Sequence, residues 1–145
     1  MTAIYLAARY SRFPEMQEYA HTLRMAGYTV TSRWILGDHE LRSGGQAETD
    51  QYAPVWAAED WSDLLKADIC LSFTEPPADV PGRARGGRHT EFGIALALQK
   101  RCLVVGYREN IFHWLPSVEF YPTWPACLAM LRAEATLFAY AEMTP

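Results

Sequence analysis

Apolar positions along the chain fall into short solid runs separated by stretches that recur at helical spacing. Ala3 to Ala8 is such a run, and it reads as a buried strand. A polar turn over Arg9 to Arg12 follows. Phe13, Met16, Tyr19, Ala20 and Leu23 then repeat at intervals of three and four, which predicts an amphipathic helix closed by Gly27. Tyr28 to Trp34 is rich in β-branched and aromatic residues and predicts a second strand. The polar, glycine-containing segment "ILGDHELRSGGQAETDQ" is a loop long enough to be functional. A helix is expected over Tyr52 to Ala67, a strand in "DICLSF", and a second long loop in "TEPPADVPGRARGG". Thr90 to Gln99 is a third helix leading into strand "CLVVG", and a final "VEFY" strand precedes a helix from Pro125 to Ala141.

Strands alternating with helices imply one α/β domain over residues 1–145, with a parallel five-stranded sheet of Rossmann-like, flavodoxin-like type and helices on both faces. In such sheets ligands bind beyond the carboxyl ends of the strands. Both long loops and the "ARYSR" segment emerge at those ends. No internal repeat, low-complexity tract or interdomain linker interrupts the pattern.

Composition narrows the partner. The chain has 145 residues, is half hydrophobic and carries a net charge of -4. A nucleic-acid polymer or an anionic membrane would favour a basic surface, so a small molecule is the expected partner. The three cysteines, Cys70, Cys102 and Cys127, lie in apolar runs without CxxC spacing and read as reduced core residues, which suits a cytoplasmic location. The opening "MTAIYLAARYSRF" has no basic leader, and its apolar run is far shorter than the ~20 residues a membrane span needs. The four histidines and three cysteines show no metal-ligand spacing, and no cofactor is implied.

Candidate chemistry centres on acids. Glu91, Ile94, Ala95 and Leu98 fall at i, i+3, i+4 and i+7, so Glu91 shares the inward face of its helix. A carboxylate there, read as lying in the first turn beside a glycine-rich loop, either satisfies helix-end amides, pairs with Arg88 or His89, or serves as a nucleophile or base. Asp60 lies one turn before Leu64 and so near the buried edge of its helix, whereas Glu59 and Asp63 look solvent-facing. Asp68 is expected to turn or cap the chain, and Tyr5 lies inside the first strand. His21 and His39 read as surface residues.

Taken together, "IYLAARYSR", "EDWSDLLKADICLSF" and "GGRHTEFGIALALQKRCLVVG" resemble the nucleoside 2-deoxyribosyltransferase superfamily, which includes the 2'-deoxynucleoside 5'-monophosphate N-hydrolases. The resemblance extends to about Gly106. It implies cleavage of the N-glycosidic bond of a nucleoside or nucleoside 5'-monophosphate, with Glu91 as nucleophile, Asp60 assisting the departing base and Tyr5 positioning the glutamate. Water or another base would accept the sugar. Base exchange between free deoxynucleosides, and a non-catalytic nucleotide-binding module, are the competing expectations.

Trp61, Trp34 and Tyr10 are candidates for stacking on the base. In the family the position six residues before the nucleophile faces the sugar 5' end, as an acid or a small hydroxyl residue. Here it is Arg85, which departs from both. With Arg83, Gly87, Arg88 and Arg9 nearby, it modestly favours a 5'-phosphate. The family's pockets are completed by a neighbouring subunit, so a homodimer or higher homo-oligomer is expected, with Asn110 and His113 as candidates for that contribution.

Overall fold

The computed structural model describes residues 1–37, 39, 46–77 and 86–142. Five strands form one parallel sheet: β1 (Ala3–Ala7), β2 (Thr29–Val30), β3 (Ile69–Phe73), β4 (Arg101–Val105) and β5 (Val118–Tyr121), in the order β2-β1-β3-β4-β5. Each inner strand is buried along nearly its whole length, which is why these segments read as solid apolar runs rather than alternating ones. Tyr5 pairs with Cys70, and Cys70 in turn with Cys102, so the register runs straight across the middle of the sheet.

Four α-helices cover it: α1 (Phe13–Met25), α2 (Gln46–Lys66), α3 (Gly87–Ala97) and α4 (Trp124–Glu142). Right-handed crossovers to opposite sides of β1 put α1 on one face and α2 and α3 on the other. The contacts agree. Tyr19 of α1 stacks on Trp124 of α4 with ring centres 4.5 Å apart, and the Tyr28 hydroxyl donates to the Leu131 carbonyl of α4 at 2.8 Å. On the opposite face α2 and α3 touch each other and β1. The order reverses between β1 and β3, the place where a sheet of this kind leaves a crevice at its carboxyl edge.

Several boundaries differ from the sequence expectation, each for a local reason. The predicted strand over Tyr28 to Trp34 pairs only at Thr29–Val30 and then becomes a 3-10 turn at Arg33–Leu36. Past Thr31, whose N–H still donates to the Ile4 carbonyl at 3.0 Å, side chains take over the outer edge of β1. The Ser32 hydroxyl accepts from the Leu6 N–H at 2.6 Å and donates to the Leu6 carbonyl, which also receives the Trp34 indole N–H at 2.8 Å. With the backbone groups of Leu6 satisfied in this way, the ladder stops.

The turn ends at Gly37 in a left-handed conformation, φ +88°, with the Phe13 ring 2.9 Å from where a Cβ would stand. Both that backbone angle and that distance select glycine.

Helix α2 begins at Gln46 rather than Tyr52 and carries Pro54 within it, and α3 begins at Gly87 rather than Thr90. Gly27 does close α1, at φ +95°.

Asp63 is not solvent-facing: it is 2% exposed and accepts from both the backbone N–H and the Nε of Arg33. Asp68 accepts from the Ala3 N–H at 2.8 Å, tying the end of α2 to the start of β1. All three cysteines are buried and free.

Because Ser32 is buried and supplies the partner of the Leu6 N–H, Ser32→Ala is expected to leave that donor orphaned and to destabilise the fold by ~1–3 kcal/mol. Urea denaturation should show a lower midpoint with an unchanged slope; a midpoint equal to wild type would mean the contact contributes nothing.

Candidate active site

Tyr5 lies in the central part of β1, fully buried, and points toward α3. Its hydroxyl donates to Glu91 Oε1 at 2.7 Å. Glu91 is the fifth residue of α3 and so stands beyond the first helical turn, where the sequence reading had put it. The helix end therefore does not hold it. Neither Arg88 nor His89 pairs with it either: Arg88 Nη2 donates to Glu109 Oε1 at 2.7 Å, and His89 Nε2 lies 3.6 Å from Glu109 Oε2. Burial pushes the Glu91 carboxyl up to about 7, opposed by the hydrogen bond from Tyr5 and reinforced by the negative charge of Asp60. The Tyr5 hydroxyl is itself held well above its ordinary value, chiefly by burial and then by Glu91, so it acts only as a donor.

Asp60 is the second carboxyl of the site and comes from α2. Burial raises it to about 6; His39 pulls it down, while Asp63 and Glu59 push it up. His39 is the residue the sequence reading missed. Expected at the surface, it is 8% exposed, with Nε2 2.8 Å from Glu59 Oε2 and Nδ1 3.2 Å from Asp60 Oδ1.

The sequence signal was faint: a histidine in a polar loop following a strand that ends at the ligand-bearing edge of the sheet.

Aromatic candidates divide. Trp34 is 4% exposed, with its indole N–H bound to Leu6, so it serves the fold. Tyr10 packs with Phe13 and Trp34. Trp61 is half exposed but lies about 100° around α2 from Asp60. Trp56, one full turn before Asp60 and on its face, has its ring centre 5.8 Å from that of His39.

At the start of α3 a second feature stands out. Arg88 is 5% exposed, yet among the described residues its Nε and Nη1 have no hydrogen-bond partner, and neither does Glu109 Oε2. Gly86 and Gly87 face open space beside it. Arg9 stands at the carboxyl end of β1, and Arg83 and Arg85 lie outside the described residues.

Asn110 caps the short turn Ile111–Trp114 by accepting from the Phe112 N–H at 2.9 Å, and its amide nitrogen is 3.2 Å from His113 Nε2. His113 is fully buried, accepts from the Glu109 N–H through Nδ1, and packs edge-on against Phe92. Both residues shape the loop that carries Glu109. Among the described residues no group of three or more His, Cys, Asp or Glu is arranged to hold a metal ion, and no helix is long and apolar enough to cross a membrane.

No protein-family model matches the chain, and no curated protein sequence matches it. Solved structures do. A 2-deoxyribosyltransferase from Bacillus psychrosaccharolyticus superposes with a TM-score of 0.63 at 18% identity, covering 90% of this chain and 96% of its own. A CMP N-glycosidase from Clostridium botulinum superposes with a TM-score of 0.56 at 20% identity, covering 91% of this chain and 99% of its own. At these identities the likeness establishes a shared fold over nearly the whole chain.

The raised carboxyl of Glu91 has a consequence for stability that is separate from any activity. A folded-state value of about 7 against an ordinary 4.5 means the protonated form is favoured on folding, so that stability is full below about pH 4.5 and falls as the pH rises through about 7. Glu91→Gln keeps an acceptor for Tyr5 but removes the buried charge. Its thermal stability relative to wild type is expected to rise between pH 5 and pH 8, by on the order of 1–3 kcal/mol after allowing for solvent screening. A gap that stays constant with pH would show that Glu91 ionises as an ordinary carboxylate.

Proposed function

We propose that this chain is an enzyme that cleaves the N-glycosidic bond of a nucleoside or nucleoside 5'-monophosphate, through a covalent glycosyl ester on Glu91. The observation that carries the reading is the 2.7 Å hydrogen bond from buried Tyr5 to Glu91, beside a second protonatable carboxyl at Asp60. The shared fold with a 2-deoxyribosyltransferase and a CMP N-glycosidase supports it.

In the first step a Glu91 oxygen attacks C1', the C1'–N bond breaks with its electron pair going to the base, and the base takes the proton of Asp60. In the second, water or another base attacks C1' and gives its proton to Asp60, and the ester oxygen leaves as the Glu91 carboxylate. Tyr5 holds Glu91 in place, and its bond favours the anion.

The reactive state therefore holds one proton across the two carboxyls, and it is depleted by a second proton at low pH and by loss of the last one at high pH.

The 5' end of the substrate is proposed to lie at the start of α3, where the unpartnered Nε and Nη1 of Arg88 favour a phosphate over a free hydroxyl, together with Gly87, Arg85 and Arg9. We further propose that the protein works as a homo-oligomer, with the exposed apolar residues Ile111, Phe112 and Trp114 in the contact.

Base release, followed by chromatography over a panel of nucleosides and monophosphates, tests the reading. It should peak between about pH 6 and 7 and fall on both sides. Glu91→Gln should lose ~10³-fold or more while staying folded. Asp60→Asn should slow substrates whose base must be protonated far more than substrates with an activated leaving group. A folded Glu91→Gln variant with near-normal turnover would sink the assignment.

Arg88→Ala should reduce kcat/KM for a monophosphate roughly 10- to 100-fold and leave the matching nucleoside little changed. Equal losses on both substrates would make Arg88 a structural residue.

A further inference from the structure

Helix α2 runs antiparallel to the strands, so each turn toward its N-terminus climbs further above the carboxyl edge of the sheet, where a ligand of this fold sits. Asp60, Trp56 and Tyr52 lie on one face of it at successive intervals of four. Their side chains form a connected row. Trp56 and Tyr52 stack with ring centres 5.7 Å apart and planes 20° from parallel, the Trp56 ring centre is 5.8 Å from that of His39, and His39 Nδ1 reaches Asp60.

Trp56 is only part-buried, and Tyr52 is 44% exposed. A large indole stacked on one neighbour and left partly open, one turn above the carboxyl that meets the leaving group, is a surface for a flat aromatic ligand. Trp34, buried at 4% exposure, has no such opening, and Trp61 lies on a different face of α2 from Asp60.

We infer that Trp56 is the seat of the nucleobase, which lies against the indole face with its edge turned toward Asp60 and His39. The inference rests on the proposed N-glycosidic chemistry for the identity of its ligand. It explains what that chemistry alone does not: how a base, which offers few contacts beyond its ring face and edge, is held while its bond to the sugar is stretched. Stacking also grows with the overlapped ring area, so a purine gains more than a pyrimidine, and Trp56 then sets a preference between base classes.

Calorimetric titration of the intact protein with adenine, cytosine and ribose 5-phosphate separates the possibilities. Trp56→Leu is expected to weaken adenine roughly tenfold or more, the loss of one base–aromatic stack, to weaken cytosine less, and to leave ribose 5-phosphate within about twofold. Trp56→Phe keeps a ring and should bind adenine within a few-fold of wild type. It should nevertheless lose the quenching of tryptophan fluorescence that adenine causes in the wild-type protein, whose other four tryptophans remain.

Undiminished adenine binding in Trp56→Leu overturns the inference, as do parallel losses for adenine and ribose 5-phosphate in both variants, or a wild-type protein that binds no adenine. The two readings also fail separately. A wild-type protein that releases base while Trp56→Leu binds adenine normally removes the platform and keeps the reaction. One that stacks adenine on Trp56 but releases no base does the reverse.

Discussion

A fully buried tyrosine hydroxyl and a partly desolvated carboxyl are each unfavourable alone, and here each is the other's remedy. Tyr5 sits in the interior strand of the sheet without access to water, so its hydroxyl needs a partner inside the protein. Glu91 on α3 is that partner. The contact holds only if β1 and α3 keep their separation to a few tenths of an ångström. Two features enforce this: β1 is paired on both sides, and α3 is anchored through Phe92 and Ala95 in the core. Packing far from the site thus fixes the geometry of one hydrogen bond, and burial makes the carboxyl it holds a weak acid.

The opposite wall depends on a different chain of contacts, which begins at the outer edge of the same strand. Ser32 and Trp34 bind the backbone of Leu6, Gly37 turns the chain against Phe13, and His39 is delivered to α2. Arg33 in the same segment binds buried Asp63 and approaches Glu59, so three neighbouring acids on α2 are met by one guanidinium and one imidazole. These two partners relieve part of the mutual repulsion, while Asp63 and Glu59 still raise Asp60. Among the described residues Asp60 has the His39 ring as its ion-pair neighbour, with Nδ1 3.2 Å from Oδ1.

Much of this was legible beforehand, and what escaped has a common cause. Solid apolar runs named the strands, since a strand buried on both faces has no other composition available. Helical spacing put Glu91 on an inward face and Asp60 at a buried edge. The family resemblance suggested that Tyr5 positions Glu91, and the hydrogen bond between them fits that suggestion.

The strand expected over residues 28–34 ran too long because past Thr31 the side chains of Ser32 and Trp34, not the backbone, bind the neighbouring strand. Asp63 and His39 misled because burial of a polar residue is decided by a partner distant in sequence, Arg33 in one case and Asp60 with Glu59 in the other. Arg88 paired with Glu109 rather than Glu91 for the same reason, since its partner lies 21 residues away in sequence.

The three elements that meet at the site also explain its division of labour. Tyr5 comes from β1, Glu91 from α3 and Asp60 from α2, and these elements converge where the strand order reverses. Burial raises both carboxyls, and the charge of Asp60 adds to the rise of Glu91, yet their immediate partners differ in kind. Glu91 receives a hydrogen bond from a donor too weakly acidic to surrender its proton, whereas Asp60 faces the His39 ring, with Nδ1 3.2 Å from Oδ1. The Tyr5 bond holds Glu91 at a fixed point and offsets part of the burial that favours its protonated form, while the charges of Asp63 and Glu59 add to the rise of Asp60. This asymmetry supports the proposed division into a nucleophile at Glu91 and an acid at Asp60, because only Glu91 is fixed in place by a donor from the sheet.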